Sequence, residues 1–157
     1  MNHNQYRHLR LRRTGPKIDL GCGTSCRPGY IGIDFQDFGQ DILWDVRYGI
    51  PMADGSVSHL HSSHFVEHLT DDELALLWLE IMRVCRVGSV VDLRCPHAES
   101  IEAFYNNHLS LWNGTRIRGV VAGFATPKLH GRFKRKFHIA LLEKKGIELI
   151  TRLEIVP

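Results

Sequence analysis

The feature that most constrains this chain is a short apolar run, Lys17-Ile18-Asp19-Leu20, that ends directly in Gly21-Cys22-Gly23. A run of that length reads as a buried strand, and glycines at alternate positions let the backbone turn sharply with no Cβ in the way. The design recurs. Tyr30-Ile31-Gly32-Ile33-Asp34 is a second strand that finishes on an acid, and Ile42-Leu43-Trp44-Asp45 is a third. A fourth spans Val57 to Ser62 after the turn at Asp54-Gly55, and Val90-Val91-Asp92-Leu93, closed by Cys95-Pro96, is a fifth.

Between the fourth and fifth strands lies the clearest helix. Thr70-Asp71-Asp72-Glu73 forms a capping box, in which Thr70 and Glu73 satisfy backbone donors that the first turn leaves unpaired. Leu74, Leu77, Trp78, Ile81 and Cys85 then recur at helical spacing, and Gly88 is expected to stop the helix. Glu99 to Asn107 reads as a second helix. Further on, two readings compete. Phe133, Phe137, Ala140 and Leu141 share a helical face with Gly146 as its C-cap, followed by a strand through Ile147, Leu149, Thr151, Leu153 and Ile155. Alternatively, Phe137 to Ile155 is a hairpin turning at Lys145-Gly146. Helix then strand is the expectation taken forward, which makes six strands with no clear seventh.

This alternation predicts an α/β fold, a mostly parallel sheet with helices on both faces. Ligands in such sheets bind outside the carboxyl ends of the strands. Gly21 to Gly23, Asp34, Asp45 and Ser62 to His64 all fall at those ends.

A chain of 157 residues fits one domain, taken as residues 17–157 behind a basic N-terminal segment, 1–16. That segment carries Arg7, Arg10, Arg12 and Arg13 without an apolar core, so it does not read as a signal peptide. No apolar run approaches the roughly 20 residues of a membrane span, and a cytoplasmic location is expected. Asp34 to Glu80 is acidic, with Arg47 its only Lys or Arg, whereas Arg132, Lys134, Arg135 and Lys136 make the far flank basic. Basic ends can attract phosphates, but a solvated surface on an ordinary domain is the favoured reading of them. Cys22 and Cys26 have no second Cys pair at zinc-ribbon spacing and are expected as free thiols. His64 and His68 flank Glu67 at a spacing that a metal could use, but no metal is expected from the sequence.

Asp19-Leu20-Gly21-Cys22-Gly23-Thr24-Ser25 resembles the first motif of class I S-adenosylmethionine-dependent methyltransferases, acid-x-Gly-x-Gly-x-Gly. The resemblance continues in order through Asp34, Asp45, and Pro51 to Leu69, whose Glu67-His68-Leu69 ending is common in the type-11 branch. It reaches the stretch Glu80 to Gly88 and covers roughly Lys17 to Pro96. It implies a compact Rossmann-like class I sheet and a cofactor, S-adenosyl-L-methionine. It also implies a site formed by Asp19, Gly21, Cys22, Gly23, Asp34 on the ribose, Asp45 and Val46 by the adenine, and Ser62 and Ser63. His64, directly after the strand end, is the candidate base.

Two departures stand out. Ser25 replaces the third glycine, and only Thr24 to Gly29 separate the glycine turn from the second strand, too few for the usual helix. The Tyr6 to Leu11 segment is a candidate cover for the sheet face left thin there. A dinucleotide fingerprint would need glycine where Cys26 stands. The expected activity is methyl transfer to an oxygen or nitrogen of a small molecule, sugar or lipid intermediate. The alternatives are an RNA acceptor, supported by the basic ends alone, and a non-catalytic S-adenosylmethionine-binding module in an assembly. The acceptor and the oligomeric state are not legible in the sequence.

Overall fold

A computed structural model of the protein describes residues 15–100, 103, 107–121 and 136–157. The N-terminal arginines, the proposed Tyr6 to Leu11 cover, most of the expected Glu99 to Asn107 helix and all but Lys136 of the far basic run lie outside these residues. Seven strands form one sheet: β1 (Lys17–Leu20), β2 (Ile31–Asp34), β3 (Ile42–Leu43), β4 (Val57–Ser63), β5 (Cys85–Pro96), β6 (Lys136–Lys145) and β7 (Glu148–Val156). Their spatial order is β3-β2-β1-β4-β5-β7-β6. β1 to β5 pair in parallel, and β7 runs antiparallel to both neighbours.

The last two strands correct the helix-then-strand expectation. Phe137 to Ile155 is the hairpin, turning through Gly146 at φ 62°. The register shifts between Ile139 and Leu141, so the core-facing positions of β6 are Phe137, Ile139 and then Leu142, paired with Ile155, Leu153 and Thr151. That bulge replaces a period of two by a step of three and imitates helical spacing. The hairpin supplies the seventh strand.

Helix α1 (Asp71–Val84) begins with the capping box: Thr70 Oγ1 accepts the Glu73 amide at 3.3 Å, and Glu73 Oε2 accepts the Thr70 amide at 2.9 Å. It ends earlier than Gly88. Cys85 takes an extended backbone (ψ 139°) as the C-cap and starts β5 directly, while Gly88 lies inside that strand at φ 87°. Helix α2 (Gly114–Val121) starts where Asn113 Oδ1 accepts the Arg116 amide at 2.9 Å.

The ladder registers put Ile33, Ile18, Leu20, Leu60, Val91, Leu93 and Leu153 on one face of the sheet. Against this face pack Leu74, Leu77, Trp78 and Ile81 of α1 and Ile117 and Val120 of α2, all in a single core. Trp78 stacks edge-on to Phe137 (5.6 Å between centroids) and tilts against Trp112 at 6.2 Å. Truncating a buried aromatic of this kind to alanine costs about 3–5 kcal/mol.

The same registers put Lys17, Asp19, His59, His61, Asp92, Arg152 and Glu154 on the opposite face. Among the described residues both helices lie on the apolar side, and the polar side is stitched together by its own charges. Asp92 accepts hydrogen bonds from His59 Nε2 at 2.8 Å and Arg152 Nε at 2.6 Å. Burial alone would raise the Asp92 carboxyl, but those two bonds outweigh it and hold the acid well below the usual carboxylate range. The shortened crossover folds onto this face, where Tyr30 lies edge-on to His59 and His61 and under the Arg27 guanidinium. Among the described residues no helix is long and apolar enough to cross a membrane.

Candidate cofactor cleft

The carboxyl ends of β1 and β2, the segment after β3 and the turn after β4 surround a cleft of about 420 Å³, within the range of small-molecule sites. Its floor is the glycine turn. Gly21 stands at φ 64°, a left-handed conformation that favours glycine, and its amide donates to Ile33 O at 2.9 Å. Asp34, only 8% exposed, lies beside it. Its Oδ2 accepts the Gly23 amide at 2.9 Å and its Oδ1 accepts the Gln36 amide at 3.0 Å. A carboxylate offers roughly four lone-pair positions, so about two remain for a ligand.

The walls are aromatic. Phe35, Phe38 and Trp44 line the cleft while 58%, 44% and 43% exposed, flat apolar surface turned toward solvent. Trp44 Nε1 donates to Gly49 O at 2.8 Å, which fixes the indole plane. Asp45 caps the 3₁₀ turn Val46–Tyr48 by accepting the Arg47 amide at 3.0 Å. The Arg47 guanidinium also clamps the same carboxylate, at 2.6 Å from Nη2 to Oδ2, and this bond holds the acid below its ordinary range. Asp45 is thus one half of an ion pair. Val46 is buried in the same wall.

The far wall is Phe65, His64, His68 and Leu69. The Phe65 ring packs onto the bare Cα of Gly21, where an added Cβ would lie 2.4 Å from Cδ2. His64 has φ 52°, the only non-glycine residue with positive φ among those described. Strain of that kind costs about 1–3 kcal/mol and gathers at functional sites. Its Nε2 lies 2.8 Å from Glu148 Oε1 and its Nδ1 3.4 Å from Glu67 Oε1.

Of the residues nominated from sequence, Gly21, Asp34, Asp45, Val46 and His64 line the cleft. Gly23 adjoins it through its bond to Asp34. The others sit elsewhere. Asp19 accepts the Arg27 amide at 2.8 Å, away from the cleft lining, and burial outweighs that bond and raises its carboxyl. The Cys22 and Cys26 sulfurs both crowd Gly32, where an added Cβ would lie 2.9 and 2.6 Å from them. Burial, then the Cys26 neighbour, pushes the Cys22 thiol up to about 12, so it is a protonated thiol at neutral pH. Ser62 donates to Leu20 O at 3.1 Å inside the core, and Ser63 pairs with Arg94 along β4 and β5. Sequence reasoning passed over Phe35, Phe38, Trp44, Arg47 and Phe65. The available signal was the aromatic pair Phe35 and Phe38 immediately after the acid of β2.

A five-stranded parallel sheet extended by an antiparallel hairpin, in this order and with the cleft at its carboxyl edge, is the class I methyltransferase fold. Solved structures agree. An S-adenosylmethionine-dependent methyltransferase from Archaeoglobus fulgidus superposes with a TM-score of 0.63 over 96% of this chain and 91% of its own, at 15% identity. One from Mesorhizobium loti gives 0.60 over 96% and 97%, at 13% identity. Phosphoethanolamine N-methyltransferase 1 of Haemonchus contortus, solved with phosphoethanolamine and S-adenosylhomocysteine, gives 0.70 over 91% of this chain and 39% of its own, at 15% identity. No protein-family model matches the sequence, and no curated protein matches it. At these identities the likeness is one of fold.

Proposed function

We propose that the chain is an S-adenosylmethionine-dependent methyltransferase acting on an oxygen or nitrogen of a small molecule, sugar or lipid intermediate. The observation that carries this reading is Asp34, buried in the cleft with two backbone amides bound and lone pairs left to accept the two hydroxyls of a ribose. Phe35, Phe38 and Trp44 offer flat surfaces to a purine, and Val46 with Asp45 closes that end. Gly21 and Gly23 keep side chains off the end of β1, where the amino-acid portion would lie. The residues present therefore fit the cofactor. When bound, its sulfonium supplies an electrophilic methyl group and a neutral thioether leaving group.

The task left to the protein is placement, which alone contributes several kcal/mol when reactants are held at attack distance. His64 is the proposed base. Glu148 Oε1 can accept the hydrogen bond from Nε2–H, which keeps the proton on Nε2 and leaves Nδ1 with its lone pair to accept the proton released by the acceptor. Complexes of the same fold with S-adenosylhomocysteine support the cofactor. The support for an RNA acceptor, the basic ends, lies almost wholly outside the described residues. The test is transfer of a labelled methyl group from S-adenosylmethionine, kept below saturation, to a panel of hydroxyl and amino acceptors, with Asp34→Ala as the control that must lower labelling at least about tenfold.

A further inference from the structure

We infer that Glu67, His68 and His108 form a binding site for a divalent transition-metal ion of the zinc type, on the wall of the cleft. One ligand atom from each lies within 4.8 Å of the others. Glu67 anchors the site. It is 1% exposed, and neither carboxylate oxygen has a hydrogen-bond partner. A buried carboxylate without donors is costly to keep, by several kcal/mol if ionised. His64 Nδ1, 3.4 Å from Oε1, forms an ion pair with it when protonated but makes no hydrogen bond. A metal ion is the partner this carboxylate lacks.

The histidines are arranged as ligands are. His68 Nδ1 lies 2.9 Å from Asn107 O, and a carbonyl can only accept, so the proton is on Nδ1 and Nε2 keeps its lone pair. Metal-binding imidazoles are oriented in this way, through the other ring nitrogen donating to a carbonyl or carboxylate. The His68 and His108 rings meet edge to face with centroids 4.9 Å apart. The loop carrying His108 is tied to the acid itself, because the Leu109 and Ser110 amides both donate to Glu67 O, at 2.7 and 3.1 Å. Metal–ligand bonds of about 2.0–2.1 Å place tetrahedral ligands about 3.4 Å apart, so small side-chain rotations close the site.

Two imidazoles and a carboxylate suit zinc and its neighbours, and three protein ligands leave a coordination position open. His68 lines the cleft, so the ion would stand at the cleft wall. The inference rests on side-chain geometry and does not depend on the methyl-transfer reading.

The test is titration of the full chain with Zn²⁺ alone, by calorimetry, and with Co²⁺, by visible absorption. The expected result is saturable one-to-one binding, with Co²⁺ ligand-field bands and no near-ultraviolet thiolate band. His68→Ala and His108→Ala should each weaken binding by at least about tenfold. Glu67→Gln, which keeps the side-chain shape, should weaken it too while the thermal midpoint shows a folded protein. The Cys22→Ser/Cys26→Ser variant should bind as the parent does. Absence of saturable binding, binding that survives both histidine variants, or binding lost with the cysteines would overturn the assignment.

Discussion

Asp34 Oδ2 accepts the Gly23 amide at 2.9 Å, so the acid that ends β2 holds the glycine turn that ends β1. A single carboxylate thereby shapes the cleft floor and faces the ligand. Asp34→Ala leaves the Gly23 and Gln36 amides without their acceptor, and unsatisfied groups of this kind cost about 1–3 kcal/mol. Urea unfolding should show a loss of that size with the variant still folded, and an unchanged midpoint would separate Asp34 from the turn.

The two glycines of the turn differ in what surrounds them. At Gly21 an added Cβ meets the Phe65 side chain at 2.4–2.7 Å, whereas at Gly23 it meets nothing within 4 Å. Both have positive φ, which costs a substituted residue about 1–2 kcal/mol. Gly21→Ala should therefore destabilise more than Gly23→Ala, by a further ~1–3 kcal/mol from overpacking. Shortening the neighbour in Gly21→Ala/Phe65→Ala should recover part of that excess. Equal losses for the two alanine variants would show that the Phe65 contact is unimportant.

The polar sheet face carries a pH dependence. His61 is buried, and burial followed by the nearby Arg27 charge lowers its pKa to about 4, against an ordinary 6.5. Between those values the unfolded chain binds a proton that the folded chain refuses. Stability is then fully present above about pH 6.5 and declines as pH falls toward 4, by up to about 3 kcal/mol. His61→Gln should flatten that decline in unfolding curves measured from pH 7 to 4.5. Asp92 adds its own loss only below the ordinary carboxylate range, so the two effects separate.

The parts of this fold that were legible in the sequence are local ones. The Thr70 capping box, the glycine turn and the acids closing β2 and β3 are each written within a few residues. The hairpin was obscured because the irregularity between Ile139 and Leu141 broke the alternation of β6. The polar face was visible in Lys17 and Asp19, His59 and His61, and Asp92 and Arg94, which alternate with apolar residues. Their strands nevertheless read as buried, because parallel sheets are usually covered on both sides. Within the site, His64 meets Glu148 from 84 residues away. Likewise, Glu67 shares its pocket with His108 from a separate loop. No local spacing encodes either meeting.

His64→Ala should lower the rate of methyl transfer by roughly 10²–10⁴-fold while the affinity for S-adenosylhomocysteine stays nearly constant. Glu148→Gln, which removes the charge facing Nε2, should lower the rate in the same direction. Single-turnover assays with an identified acceptor check both. Unchanged rates would make His64 a strained wall residue with no part in proton transfer.

The central claim is that the Asp34 cleft holds S-adenosylmethionine, and calorimetric titration with S-adenosylhomocysteine tests it most directly. The parent chain should bind it one-to-one, with at least a tenfold loss in Asp34→Ala, since each charge-assisted bond to a ribose hydroxyl contributes about 1.5–3 kcal/mol. No binding to the folded parent chain, or equal affinity in the folded Asp34→Ala variant, would contradict it.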